Sequence, residues 1–159
     1  RNYDFIFEMD ADFSHNPSEL FPMLELLNSN VDVVVGSRYI KGFNVVNWPL
    51  TRIIISYLAS LYVRLITLMP IKDPTAGFVG YKRDVLISIN LEQIKFVGYA
   101  FQIEMKYKSW LNGFTIQEYP IVFINRKYGK SKMDKSIILE ALRGVLYLRL
   151  NKKIFSKKK

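Results

Sequence analysis

The sequence contains no cysteine, which excludes a disulfide framework and a thiolate metal site and fits a reducing compartment. Histidine occurs once, at His15, and a turn or capping role is expected of it ahead of a ligand role. Neither an initiator methionine nor a signal peptide opens the chain, and the first apolar run begins within three residues. A strand that apolar, in a parallel sheet, is expected to have earlier βα units beside it, so the chain reads as a piece of a longer protein. Acids are scarce: 14 Asp and Glu stand against 23 Lys and Arg, a net charge of +9. That balance favours acidic partners such as nucleic acid, phosphorylated small molecules or an anionic membrane surface, without choosing among them. There is no internal repeat and no low-complexity segment apart from a lysine-rich tail. What is present is 159 residues, half of them apolar, enough for one domain with a sizeable core.

The most informative stretch is Asp10-Ala11-Asp12, two carboxylates one residue apart at the end of the apolar run 3–9. If that run is a buried strand, the acids stand at its carboxyl end, where ligands collect in open α/β sheets. A solvated turn is the plain alternative. A second β-rich run, 31–35, leads directly into Gly36-Ser37-Arg38-Tyr39, so carboxylates and a guanidinium reach the same edge. That combination suits a metal and a phosphate, with a surface ion pair as the plainer role for Arg38.

Between these strands, Asn16 is placed to cap a helix, Pro17 to occupy its first position and Glu19 to complete a capping box. Leu20, Met23, Leu24 and Leu27 then recur at helical spacing, and Asn28-Ser29-Asn30 ends the element. Residues 41–49 read as a loop, with Trp48 as a lid or docking residue. Residues 50–69 are long and apolar like a membrane span but contain Arg64, Ser56, Ser60 and Thr67. An arginine at mid-bilayer costs about 2.5–3.5 kcal/mol, so packing in the protein or lying along a surface is expected ahead of spanning.

Asp73-Pro74-Thr75-Ala76-Gly77-Phe78 is a turn feeding a strand over 78–81, with Gly77 allowing close backbone approach. A helix over about 100–112 contains Glu104, expected to be a surface or paired residue ahead of a catalytic base, and Gly113 is its natural cap. A strand follows over 115–125, with Pro120 marking an edge or bulge. It runs into the basic loop 126–132, whose glycine and cationic groups suit closure over phosphate or simple solvation. The chain lacks G-x-x-x-x-G-K-[ST], so a P-loop NTPase is not indicated. A last helix over 136–150 has an apolar face at Ile137, Ala141, Val145 and Leu148, broadened by Ile138, Leu142 and Leu146. The tail 151–159 carries five lysines.

Taken in series, six motifs resemble the catalytic domain of dolichol-phosphate (polyprenol monophosphate) mannose synthases, over about residues 3–150. They are Met9 to His15, Gly36-Ser37-Arg38-Tyr39, Asn47-Trp48-Pro49 with Arg52, Asp73 to Phe78, Gly98 to Glu104, and the basic loop. These enzymes are family-2 glycosyltransferases with an α/β, Rossmann-like GT-A fold. The resemblance implies that residues 1–150 are the C-terminal part of such a domain, its first βα units missing, with 151–159 a basic tail. It implies inverting transfer of mannose from GDP-mannose to a polyprenyl (dolichyl) monophosphate, and a Mg²⁺ or Mn²⁺ ion on Asp10 and Asp12. Some relatives have Gln where Ser14 stands, so a third protein ligand is not carried over.

By the same resemblance, Asp10, Ala11, Asp12, Arg126 and Lys132 bind the donor, and Arg38 and Arg52 grip the acceptor phosphate. Glu104 can remain structural, because a phosphate acceptor is already anionic. The helices over 50–69 and 136–150 would offer an apolar groove or membrane-facing surface to the lipid, making the protein peripheral at the cytoplasmic face of a membrane. An exposed sheet edge leaves pairing with a second copy open. The alternatives are a related family-2 enzyme using another nucleotide sugar or a glycan acceptor, and a non-enzymatic anion-binding module. A nucleic-acid partner is not expected, since the basic residues do not form one stripe with stacking aromatics.

Overall fold

The computed structural model describes residues 3–125 and 135–155. Short β-branched runs alternate with helical stretches and build a four-stranded sheet with helices on both faces. β1 (Phe5–Glu8) is followed by a single 3-10 turn, Pro17–Glu19, and α1 (Leu20–Leu27). Asn16 caps the turn as its sequence position predicts, its side chain accepting the Ser18 N–H at 3.1 Å. β2 (Val33–Ser37), the two-residue β3 (Val45–Val46) and α2 (Leu50–Thr67) come next. β4 (Val79–Lys82), α3 (Arg83–Ile89) and α4 (Gly98–Leu111) lead to β5 (Ile116–Pro120) and β6 (Phe123–Ile124). α5 (Lys135–Leu150) and α6 (Lys152–Phe155) complete the described chain.

The strand order is β1-β4-β2-β5, with β4 antiparallel to both neighbours and β2 parallel to β5. β1, β2 and β5 therefore point the same way, and the segment entering β4 arrives from the edge at which they end. This register gathers residues 10–15, 36–39, 73–78 and 120–125 at one edge of the sheet.

Alternation distributes the core. Val33 and Val35 face one side with Val79, Tyr81, Val85 and Met105, while Val34 faces the other with Met23, Leu27, Phe78 and Ile121. A third cluster joins α2, α4 and α5 through Val63, Ile103, Tyr107, Val145 and Leu148.

Five expectations shift. β1 is half-buried, because it pairs on one side only. The second strand begins at Val33 and continues to Ser37, because Asp32 turns its carboxylate to the Thr115 N–H (2.9 Å) and Lys82 (3.4 Å). The run 115–125 divides into β5 and β6, because Pro120 has no N–H to extend a ladder. β6 pairs instead with β3, inside the stretch expected to be a loop. The lysine tail begins as a folded element: Phe155 packs on the third cluster, and its carbonyl accepts from Asn112 at 2.9 Å.

Gly80 sits where β4 crosses α1. A Cβ there would lie 2.5 Å from Phe7 Cε1 and 2.9 Å from Leu27 Cδ1, closer than carbon atoms approach. Gly80→Ala is expected to destabilise the fold by about 1–3 kcal/mol through overpacking, read as a lower urea midpoint with an unchanged slope.

Candidate active site

At the end of β1, Asp12 forms a local turn. Its Oδ1 accepts the Ser14 backbone N–H at 3.1 Å and the Ser14 hydroxyl, which orients the carboxylate while Phe13 adopts φ +61°. Asp10 is exposed and donates its backbone N–H to His15 Nδ1 at 3.3 Å. The His15 ring is buried, 5.1 Å from the Phe78 ring and edge-on to Phe123 at 5.0 Å. Burial lowers its pKa from 6.5 against the opposing pull of Asp10, so the neutral ring keeps Nδ1 as an acceptor. The single histidine thus has the turn role expected of it, and what it holds is the acid loop.

Arg38 leaves β2 into the same edge and is committed to Asp73. Its Nε and Nη2 donate to the two carboxylate oxygens at 2.7 Å each, its backbone N–H donates to Oδ2 at 3.0 Å, and Nη2 also reaches Thr75 Oγ1 at 2.9 Å. Both residues are buried. Burial alone would depress the guanidinium pKa, but Asp73 more than reverses this and raises it. Burial would likewise raise Asp73, and Arg38 outweighs it, holding the carboxylate below 3.8. The ion pair foreseen as the plainer role of Arg38 exists, inside the protein instead of on its surface. Its partner was not singled out from sequence; an aspartate opening an Asp-Pro turn was the only signal.

Glu118 of β5 holds the same turn from the other side, accepting the N–H groups of Lys72 and Asp73 at 2.8 and 2.9 Å. Gly77 completes it: a Cβ there would meet the Asp10 carboxylate at 3.7 Å, so the turn lies directly against the first acid. Glu104 is fully buried, accepts the N–H groups of Lys95 and Phe96 and pairs with Lys108 at 2.8 Å. It is a structural residue within α4 and its preceding loop.

Arg52, in the first turn of α2, stacks under Trp48 at 3.8 Å and donates to Asn125 Oδ1 at 2.9 Å. Trp48 packs edge-on to Phe123, which makes it a wall of the site. These groups border a cavity of about 750 Å³. Its lining includes Asp10, Ala11 and Asp12 together with Arg38, Trp48 and Arg52. It also includes an apolar trough of α2 and α5 residues: Ile55, Ala59, Val63, Ile138, Leu142 and Val145. Sequence reasoning thus named the acids and both arginines that meet here. Arg126 and Lys132 lie outside the described residues.

Among the described residues no group of three or more His, Cys, Asp or Glu converges on one point. Asp10 and Asp12 therefore offer two hard carboxylate ligands, one of them oriented by Ser14. That donor set fits a small divalent cation whose other positions are taken by phosphate oxygens and water.

The family model for glycosyl transferase family 2 matches residues 2–89, over half of the chain. The chain belongs to glycosyl transferase family 2. It is 42% identical over 142 residues to the polyprenol monophosphomannose synthase of Mycolicibacterium smegmatis, covering 89% of this chain and 54% of that protein. It is also 42% identical over 145 residues to the undecaprenyl-phosphate mannosyltransferase of Micrococcus luteus, covering 91% of this chain and 59% of the relative. The chain thus spans between half and three-fifths of the length of these relatives. Its fold is similar to that of glucosyl-3-phosphoglycerate synthase from Mycobacterium tuberculosis, solved with Mn²⁺, UDP-glucose and glycerol 3-phosphate. The TM-score is 0.57 at 14% identity, over 100% of this chain and 52% of the other. The family-2 domain has the expected GT-A fold.

Two outcomes follow from the buried charges of this family-2 site. Asp73→Asn leaves a buried guanidinium without its counter-charge and is expected to cost about 3–5 kcal/mol, measured by urea unfolding at pH 7. His15 is neutral when folded and titrates near 6.5 when unfolded, so the unfolded chain binds more protons and stability falls as pH drops below about 6.5. In His15→Phe that part of the decline is expected to vanish when urea midpoints at pH 7.5 and 5.5 are compared.

Proposed function

We propose that this chain carries the catalytic residues of an inverting mannosyltransferase that moves mannose from GDP-mannose to a polyprenyl (dolichyl) monophosphate. One observation carries the reading: a single cavity joins paired carboxylates, two arginines and an apolar trough. Such a cavity accommodates a molecule with a phosphate head and a hydrocarbon tail beside a diphosphate donor. The two mannosyltransferase relatives support the same sugar and lipid class.

In this reading an acceptor phosphate oxygen attacks the anomeric carbon. The bond from that carbon to the donor diphosphate breaks, its electron pair leaving with the nucleoside diphosphate. The acceptor is anionic near neutral pH, so no side chain need remove a proton. Asp10 and Asp12 would hold a Mg²⁺ or Mn²⁺ ion, which when bound neutralises charge growing on the leaving diphosphate. Arg52, half-buried and steadied by Trp48 and Asn125, meets the acceptor phosphate. Arg38 adds a fixed positive charge to the same wall, oriented by Asp73 and not free to swing. Arg126 and Lys132, outside the described residues, are assigned to the donor diphosphate by the family resemblance alone.

The lipid lies in the trough, and the protein sits peripherally at the cytoplasmic face of a membrane. That position is supported by Leu50, Ile54, Leu58 and Leu65, which α2 turns outward. By length and composition α2 is also apolar enough to cross a membrane. Its inward Ser56 and Ser60, bonded toward Tyr39 and Thr75, favour a helix lying on the surface with its polar side on the site.

Mannose transfer from GDP-mannose to a polyprenyl phosphate, assayed with Mn²⁺ in this chain and in any longer natural form containing it, tests the reading. Asp12→Asn is expected to lower the rate by about a hundredfold or more, the loss of several kcal/mol of charge stabilisation. Glu104→Gln should retain most of the rate per folded molecule. Acceptance of a different nucleotide sugar in place of GDP-mannose would reassign the donor.

A further inference from the structure

Lys106 lies in the middle of α4 with no exposed surface. Among the described residues it has no carboxylate within ion-pair distance, since the ion pairs there join Arg38 to Asp73, Lys82 to Asp32 and Lys108 to Glu104. Its three donors go to neutral oxygens: the Ala76 carbonyl at 2.7 Å, the Gln102 carbonyl at 3.0 Å and Gln102 Oε1 at 3.2 Å. Burying an ammonium this way is costly compared with methionine or leucine at the same place. The cost is concentrated where two legs of the site meet. Ala76 immediately precedes Gly77, whose backbone lies against the Asp10 carboxylate. Gln102, with its oxygen turned to Lys106, donates Nε2 to Glu8 at 3.0 Å, at the end of β1 and two residues before Asp10.

We propose that Lys106 is a positioning residue that braces the Ala76-Gly77 turn and, through Gln102, the end of β1, so that Asp10 is held at the geometry the donor site needs. The proposal deepens the site reading given above and depends on it for its effect on binding, though not for the brace itself. The facing charged groups are Asp73 on the turn, Glu8 on β1, Arg38 just after β2 and Glu118 on β5. Desolvation outweighs the carboxylates among them and brings Lys106 down to about 7. The ammonium form fills all three bonds; the amine has one donor fewer. The brace therefore loosens as pH rises through about 7. Stability runs the other way: between about 7 and 10.5 the unfolded chain binds the extra proton, so the fold becomes more stable as pH rises. Loosening of the turn while the fold gains stability is a signature that a merely structural lysine does not give.

The test is Lys106→Met, compared with wild type in two measurements. Hydrogen exchange of the peptides containing Gly77 and Asp10, corrected for intrinsic rate, should be at least tenfold faster in the variant. In wild type it should accelerate from pH 6 to 8.5. Affinity for Mn²⁺ with a nucleotide sugar, whose diphosphate does not titrate in this range, should fall about tenfold or more in the variant and lose its pH dependence. Unchanged exchange in Lys106→Met overturns the brace. Faster exchange with wild-type affinity overturns the positioning role. Faster exchange in a protein that binds no nucleotide sugar at any pH, either as this chain or in a longer natural form containing it, leaves the brace standing and refutes the site reading instead. Should Lys106→Met fail to fold, Gln102→Leu decides, because it removes the side-chain link between Lys106 and Glu8; unchanged exchange of the Asp10 peptide in that variant overturns the proposal.

Discussion

The arrangement depends on a buried charge pair. Asp73 receives three donors from Arg38, two from the guanidinium and one from the main chain, and the pair ties the exit of β2 to the turn that enters β4. Antiparallel entry of β4 makes this tie necessary: the turn must cross the edge at which β1, β2 and β5 all end. Glu118 from β5 and Lys106 from α4 grip the same turn, so it is fastened from three sides. The outcome is a turn held in place beneath Asp10, with the more accessible Arg52 on the same side of the cavity. A buried pair of this kind is weak evidence for stability in itself; its value here is geometric, since either charge alone would be expelled.

The same logic explains α2. A surface helix ordinarily turns its apolar stripe inward, but here Ser60 and Thr67 are buried while Leu50 and Leu65 are about two-thirds exposed. The inward serines bond to the site: Ser56 accepts from Tyr39 at 2.7 Å, and Ser60 meets Thr75 at 3.4 Å. α2 is thus oriented by the polar edge of the sheet, and its leucines are left for whatever lies outside. With α5 it supplies apolar lining to the cavity that Arg52 also lines, so one helix orientation gives the cavity both polar and apolar walls.

Much of the fold was legible in the residues. The cap at Asn16 and the end of α4 at Gly113 follow from local chemistry, although the helix expected to open at Pro17 starts as a 3-10 turn and becomes α-helical only at Leu20. Periodicity was less reliable where contacts beyond the strand decide. The pairing partners of β2 carry it two residues past the run of valines, and a two-residue match with Val45 and Val46 pulls Phe123 and Ile124 out of β5. Ile138, Leu142 and Leu146 continue an apolar helical face as written, yet they stay exposed, because α5 packs through Val145 and Leu148.

By itself the sequence determined which groups could do the chemistry. Asp10 and Asp12 have the charge and hardness for a hard cation, and Arg38 and Arg52 the charge for phosphate, wherever the chain puts them, and their order along six motifs marks the family. Only the tertiary structure decided how each is used. It committed Arg38 to Asp73, gave the lone histidine to the backbone of Asp10, turned Glu104 into a buried anchor and set Lys106, bonded to neutral oxygens, behind the turn at Ala76. The reason is that roles for charged groups depend on distance and dielectric. Those are fixed by strand order and burial, which bring residues 35 positions apart, such as Arg38 and Asp73, to hydrogen-bond distance.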